Sequence, residues 1–246
     1  MSQVSAPITI FLTPKCKITN SAHKIGQTLA GFEMEGFDLI GQTGTREKSY
    51  ITEGLNACTG GVFLGKKLNM FHENSSIYKD AEGSKFKIFE EITKKIFELS
   101  NKGREKAEAF LFGGWGYGCG GNIEEVKKSH NLFNNIAICI EDIIPEKEGL
   151  KVPLTTIWGK LNSSKPDMIY ARNNTIVLEN DIFNELLNKK EYEINRNNII
   201  NFLEKHYEEV QIPDHVNIVA KKNYSPLDDI IENNRLKRQK TFNVTI

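Results

Sequence analysis

The sequence has no long apolar segment, no excess of either charge and few cysteines. Its 246 residues include 32 Lys and Arg, 32 Asp and Glu, and 4 Cys. No apolar run approaches the roughly 20 residues that a membrane-spanning helix needs, so we expect no membrane span. A net charge of zero argues against nucleic acid as the main partner, because nucleic-acid-binding proteins neutralise phosphates with an excess of basic residues.

The cysteines are too sparse for a disulfide framework or a structural metal site. Cys16, Cys58, Cys119 and Cys139 contain no Cys-x-x-Cys pair, and the histidines have no metal-ligand spacing. We therefore expect no metal, no cofactor and a reducing compartment. The first residues lack the charged and apolar regions of a secretory signal. The expected location is the cytosol, or a host cytosol after export without a cleavable signal peptide.

Strand and helix patterns alternate along the chain and predict an α/β or α+β layered sandwich rather than a helical bundle. The apolar stripe that includes Ile92, Ile96 and Leu99 is typical of an amphipathic helix. The predicted elements are, in chain order, a strand over 8–12, a hairpin over 62–71, a helix from Ser84 to Leu99, a strand over 107–112, a helix opened by Asn122, and strands over 136–140 and 175–178.

The composition shifts toward Asn, Lys and Glu after about residue 180. Ile199, Leu203, Tyr207 and Val210 predict one amphipathic helix there, a second helix is expected from Ser225, and 216–220 form a candidate strand. We divide the chain into a core domain, residues 1–180, and a mainly helical accessory extension, residues 181–246. A solvated subdomain and a target-recognition or export element are both open for this extension.

The most informative pattern lies between residues 51 and 72, where Thr52, Cys58 and His72 surround a predicted β-hairpin. Gly65-Lys66-Lys67 separates two short apolar runs and is typical of a turn. With a three-residue loop, His72 lies opposite Gly60 and diagonally across the same face from Cys58. This register predicts a Cys–His pair.

Such a pair has a chemical meaning, because the thiolate and not the thiol is the nucleophile. A neighbouring imidazole takes the thiol proton and later returns it to a leaving group. Residue types and spacing alone leave a second interpretation open, in which Cys58 is a buried apolar residue and His72 is an unrelated surface residue.

The run Thr52-x-x-Leu55-x-x-Cys58, followed by His72, resembles the active-site segment of the cysteine-dependent protein glutamine deamidases. This group includes the chemotaxis deamidase CheD, the catalytic domain of cytotoxic necrotizing factor and Burkholderia lethal factor. A second segment, 109–142, resembles the CheD pattern of a strand, a Gly-Gly loop, a helix opened by Asn and a strand ending in Asp. The resemblance covers about half of the chain.

The resemblance implies a mixed sheet flanked by helices, with the cysteine near one sheet edge. It implies that Cys58 is the nucleophile, that His72 is the base and that Thr52 orients His72, without a cofactor. The substrate would be a protein: a chemoreceptor, as for CheD, or a small GTPase or translation factor, as for the toxins. The long flanks favour a toxin or translocated effector. A CheD-type receptor deamidase, another Cys–His amidase or protease, and a non-catalytic binding module are the alternatives.

The glycine-rich stretch from Gly113 to Gly121 precedes a helix, as phosphate-binding loops do. It lacks both the Gly-x-Gly-x-x-Gly pattern with an acidic partner and a Gly-Lys-Ser/Thr ending. We therefore expect its glycines to allow close backbone approach around the active site. His130, on the following helix, is predicted to be a surface residue.

Overall fold

Two six-stranded mixed sheets form the framework of the protein. The computed structural model describes residues 7–14, 28–29, 42–47, 49–53, 58–74, 82–114, 123–159, 168–190 and 194–224. The β1 sheet contains, in spatial order, β12 (Asn217–Ala220), β1 (Thr9–Thr13), β10 (Thr175–Glu179), β9 (Met168–Arg172), β4 (Tyr50–Glu53) and β2 (Thr28–Leu29). The β5 sheet contains β11 (Tyr207–Gln211), β8 (Leu154–Gly159), β7 (Glu108–Gly114), β5 (Cys58–Leu64), β6 (Leu68–Asn74) and β3 (Gln42–Gly44).

The helices pack beside these sheets. They are α1 (Glu82–Leu99), α2 (Ile123–Ile138), α3 (Ile144–Glu148), α4 (Phe183–Leu187) and α5 (Arg196–His206), and a π-helical turn, Cys139–Ile143, joins α2 to α3. In the described part of the chain, no helix is long and apolar enough to cross a membrane.

The alternation of side chains along the strands places one core between the sheets and a second beneath the helices. On β5, Val62 and Leu64 point toward the β1 sheet, whereas Phe63 points toward α1 and α2. All seven residues of β5 are buried because both faces of this strand are covered. From α5, Phe202 and Leu203 extend the core between the sheets.

The layer arrangement differs in part from the expectation. The protein is mixed α/β, as predicted, but two sheets face each other where one mixed sheet flanked by helices was expected. Helices α1 and α2 cover the outer face of the β5 sheet. Cys58 also does not lie near a sheet edge, because β5 has β7 on one side and β6 on the other. It lies at the end of an inner strand.

The predicted strand over 136–140 is wrong. Helix α2 continues to Ile138 and passes into the π-helical turn. The β-branched residues of this segment suggested a strand, but Leu132, Phe133, Ile136 and Ile140 recur at helical spacing and are buried beneath the β5 sheet. The strand that follows α2 is β8, which runs parallel to β7. The last element of the CheD-like pattern over 109–142 is therefore helical here.

The segment after residue 180 contributes to both sheets, in contrast to the mainly helical extension that was predicted. Strand β11 pairs with β8, and β12 pairs with β1. The predicted helix over 199–210 ends at His206, so that Tyr207 and Val210 lie in β11. The strand predicted over 216–220 is present as β12. The described part of this segment, up to residue 224, thus completes the sandwich.

Other predictions are confirmed within small boundary shifts. The first strand, the 62–71 hairpin, the helix that ends at Leu99, the strand that starts near 107 and the strand over 175–178 are all present. The proposed helix cap at Asn122, the helix from Ser225, Cys16 and Cys119 lie outside the described residues, as does most of the Gly113–Gly121 stretch.

Candidate active site

Several strands of both sheets meet at one end of the sandwich, which we call the thiol end. β5 begins there with Cys58, β4 ends one residue after Thr52, and β6 ends two residues after His72. β7 and β8 end there at Gly114 and Gly159. The three residues predicted to form the site therefore lie at the same level of the molecule.

The three side chains also share one face. Tyr50, two residues before Thr52 on β4, belongs to the core between the sheets, and so does Cys58 itself. Met70, two residues before His72 on β6, lies in the same core. Because side chains alternate along a strand, Thr52 points from the β1 sheet toward Cys58 and His72 of the β5 sheet.

A hydrogen bond joins Thr52 to His72 across the two sheets. The distance from Thr52 Oγ1 to His72 Nδ1 is 2.7 Å. Thr52 is only 2% exposed, and pairing of β4 with β9 fixes its backbone. A short hydrogen bond between Nδ1 and a buried hydroxyl on a paired strand restricts rotation of the imidazole.

The register of the hairpin is the predicted one. Gly60 is paired with His72, and Cys58 is paired with Asn74. Cys58 and His72 are therefore diagonal neighbours on one face, within reach of a long side chain. Gly60 carries no side chain on that face, which leaves room for the imidazole next to the thiol.

Glycines bring the strand ends close together around Cys58. A Cβ atom on Gly113 would lie 2.4 Å from the Trp158 ring and 3.0 Å from the Cys58 carbonyl oxygen. A Cβ atom on Gly114 would lie 2.8 Å from the backbone of Gly159. Only glycine allows this approach, in agreement with the expected role of the first two glycines of the 113–121 stretch.

The side chain of His130 is partly exposed, and it also packs against the protein near this end. Its ring stacks on Trp158 with a centroid distance of 5.2 Å, and its Nε2 lies 2.5 Å from Glu209 Oε1. Trp158 in turn packs on Gly113. Sequence patterns missed this contact because Glu209 is 79 positions away along the chain.

The two described cysteines have different surroundings. Both carry thiols and both are buried. Cys139 lies in the π-helical turn beneath the β5 sheet, where burial raises the pKa of its thiol to about 11. A thiol of that pKa is almost fully protonated at neutral pH and is a poor nucleophile. Of these two, only Cys58 adjoins a histidine held by a hydroxyl.

Within the described residues, no group of three or more His, Cys, Asp and Glu side chains is arranged to hold a metal ion.

Comparison with known proteins places the chain in no group: no protein-family model matches its sequence, and no curated protein matches it at a significant level. The motif and the geometry of the thiol end therefore carry the functional argument.

Proposed function

We propose that this protein is a protein glutamine deamidase that converts a glutamine side chain of a partner protein to glutamate. The observation that carries the proposal is the 2.7 Å hydrogen bond between Thr52 Oγ1 and His72 Nδ1, next to Cys58 on the same face. These are the three positions that the active-site motif singles out. Their side chains come from two sheets and meet at one place.

In the proposed reaction, His72 Nε2 removes the proton from Cys58 Sγ, and the thiolate attacks the carboxamide carbon of the glutamine. The imidazolium then protonates the carboxamide nitrogen, which departs as ammonia. The carbonyl carbon remains bound to Cys58 Sγ as a thioester. Water loses a proton to the same imidazole and attacks the thioester carbonyl. The thiolate departs, and the product carries a glutamate side chain.

Thr52 acts as a positioning residue in this scheme. Its hydroxyl oxygen accepts the Nδ1–H of His72 and so keeps the lone pair on Nε2, the nitrogen that must act as base. Positioned general base catalysis contributes about 10²- to 10⁴-fold in rate. The reaction consumes only water, so it needs no cofactor.

The substrate is proposed to be a folded partner protein, in a toxin or translocated effector setting. One new negative charge on a catalytic glutamine or at a charge-sensitive interface is enough to change the activity of such a partner. A small GTPase, a translation factor and a receptor are the classes that the motif resemblance brings forward.

The test is to incubate the purified protein with cell lysate and to measure ammonia release and the conversion of Gln to Glu by peptide mass mapping. We expect one protein to be modified by the wild type and not by Cys58→Ser or His72→Ala. Cys139→Ser is the matched control, because it changes a thiol outside the site, and it should retain activity.

Fragmentation of a partner without deamidation would assign a protease instead. If wild type and Cys58→Ser release ammonia at the same background level in lysates of several origins, the enzymatic proposal is overturned. Pull-down of a partner by Cys58→Ser and wild type alike would then assign a binding module.

A further inference from the structure

A cavity of about 540 Å³ lies at the end of the sandwich opposite Cys58. It is lined from both sheets, by Ile8 and Asn174 beside β1 and β10, and by Leu64 and Pro153 beside β5 and β8. Its volume falls in the range of small-molecule sites, which are about 300–1,000 Å³. The apolar residues among these supply a wall against which a compact ligand can pack.

Cationic side chains outnumber acidic ones around this cavity. Arg46, Lys106 and Lys151 supply positive charge there, and Glu108 is the acidic residue among the described lining groups. The chain as a whole has no net charge, so this excess is local. A concave surface that carries charges of one sign concentrates ligands of the opposite charge.

Arg46 is held in place by backbone and amide oxygens. Its Nη1 donates to the Gly65 carbonyl at 2.9 Å, its Nε and Nη2 donate to the Asn173 carbonyl at 3.3 and 3.1 Å, and Nη2 also donates to Asn174 Oδ1. Burial lowers the pKa of Arg46, with Glu108 and Glu47 acting in the opposite direction. A guanidinium remains charged even so, and this one is pre-positioned at the cavity wall.

The charge of Glu108 is offset inside the cluster. Its Oε2 lies 2.9 Å from His215 Nε2, and its carboxylate also acts on Arg46. Lys106 and Lys151 are exposed, and neither has an ion pair with a carboxylate among the described residues. Two ammonium groups at the rim therefore have no acidic partner there.

We propose that this cavity binds a small molecule that carries a phosphate group. Lys106 and Lys151 would contact the phosphate as point charges, Arg46 would contribute its fixed charge, and Ile8, Leu64 and Pro153 would contact the uncharged part. This inference is independent of the chemistry proposed for Cys58.

Isothermal titration with inorganic pyrophosphate at constant ionic strength tests the site. We expect binding by the wild type with a Kd of about 1 mM or tighter, and a loss of roughly tenfold in the double variant Lys106→Gln, Lys151→Gln. Glu108→Gln should tighten binding several-fold, since the amide removes the opposing charge and still accepts from His215. Lys94→Gln, on the exposed face of α1, is the matched control and should bind as the wild type does.

The proposal is overturned if the wild type shows no binding at about 10 mM pyrophosphate, or if Lys94→Gln and the double variant weaken binding equally. Citrate distinguishes phosphate from carboxylate: equal binding of citrate and pyrophosphate would overturn the phosphate assignment. Weaker binding by Glu108→Gln would show that Glu108 organises the cavity and would overturn the charge argument.

Discussion

The two ends of the sandwich join the sheets in different ways. At the thiol end, a hydrogen bond between the side chains of Thr52 and His72 joins one sheet to the other. At the opposite end, a single guanidinium, that of Arg46, bonds to the β5–β6 turn through Gly65 and to the β9–β10 turn through Asn173. In the proposed mechanism the imidazole of the first connection exchanges a proton at Nε2, whereas the guanidinium of the second uses most of its donors for structure.

In the proposed mechanism, the same fold carries one connection that only stabilises it and another that also takes part in the reaction. A guanidinium that satisfies several carbonyl groups is strongly bonded and chemically inert. An imidazole that is held at one nitrogen is oriented but can still exchange a proton at the other. Substitutions of Thr52 and of Arg46 should therefore differ in whether they mainly change the reaction rate or the stability of the fold.

The largest effect is expected for Gly113→Ala at the thiol end. The new methyl group would overlap the Trp158 ring and crowd the Cys58 carbonyl, at a cost of about 3 kcal/mol in the free energy of unfolding. Gly149→Ala is the control: its φ of +64° disfavours alanine, but nothing lies within 4 Å, so a loss of about 1 kcal/mol is expected. Urea unfolding measures both, and equal losses would show that close packing at Gly113 does not limit stability.

A smaller effect on stability, with no effect on reactivity, is expected for Arg46→Met. The carbonyl groups of Gly65 and Asn173 lose a charged donor, and the free energy of unfolding should fall by about 2 kcal/mol. The alkylation rate of Cys58 per folded molecule, followed by peptide mass mapping, should stay as in the wild type. Arg172→Met removes one hydrogen bond to the Glu47 carbonyl and should lower the free energy of unfolding by less than Arg46→Met does. A change in the Cys58 rate would mean that the two ends are coupled.

The smallest effect on stability, but a specific effect on chemistry, is expected for Thr52→Val. Loss of one hydrogen bond should cost about 1 kcal/mol in unfolding free energy. Deamidation and Cys58 alkylation should slow about tenfold and shift in pH profile, because the imidazole tautomer is no longer fixed.

Two controls sharpen that experiment. Thr52→Ser should restore both rate and pH profile, and Thr155→Val, in the same core between the sheets, should leave both unchanged. If Thr52→Val shows the wild-type rates of deamidation and Cys58 alkylation, Thr52 has no role in the site, which then consists of the Cys–His pair.

The hairpin could be predicted from the sequence because its register depends only on a local turn. Once Gly65–Lys67 close the loop, the pairing of Gly60 with His72 follows. The motif resemblance implied that Thr52 orients His72, but residue spacing alone does not place the two side chains together, because the chain crosses from the β5 sheet to the β1 sheet between β3 and β4. Arg46 lies in that crossing, and no sequence pattern distinguishes it from any other single basic residue in a loop.

The remaining errors have related physical causes. The β-branched run at 136–140 has strand propensity, but the burial of Ile136 and Ile140 on one helical face decides the outcome. Strands β11 and β12 were assigned to an extension because their partners, β8 and β1, are far away in sequence. Composition cannot reveal such distant pairings.

The crossing between β3 and β4 also sets the order in which the thiol end can assemble. The β5–β6 hairpin brings Cys58 and His72 together by local contacts, and hairpins form within about 1–10 μs. The bond from Thr52 requires that the two sheets have already docked, which is a non-local and slower event. A partly folded chain therefore carries the thiol and the imidazole without the hydroxyl that orients them. In the proposed mechanism, Cys58 therefore becomes competent as a nucleophile only when the rest of the protein has folded around it.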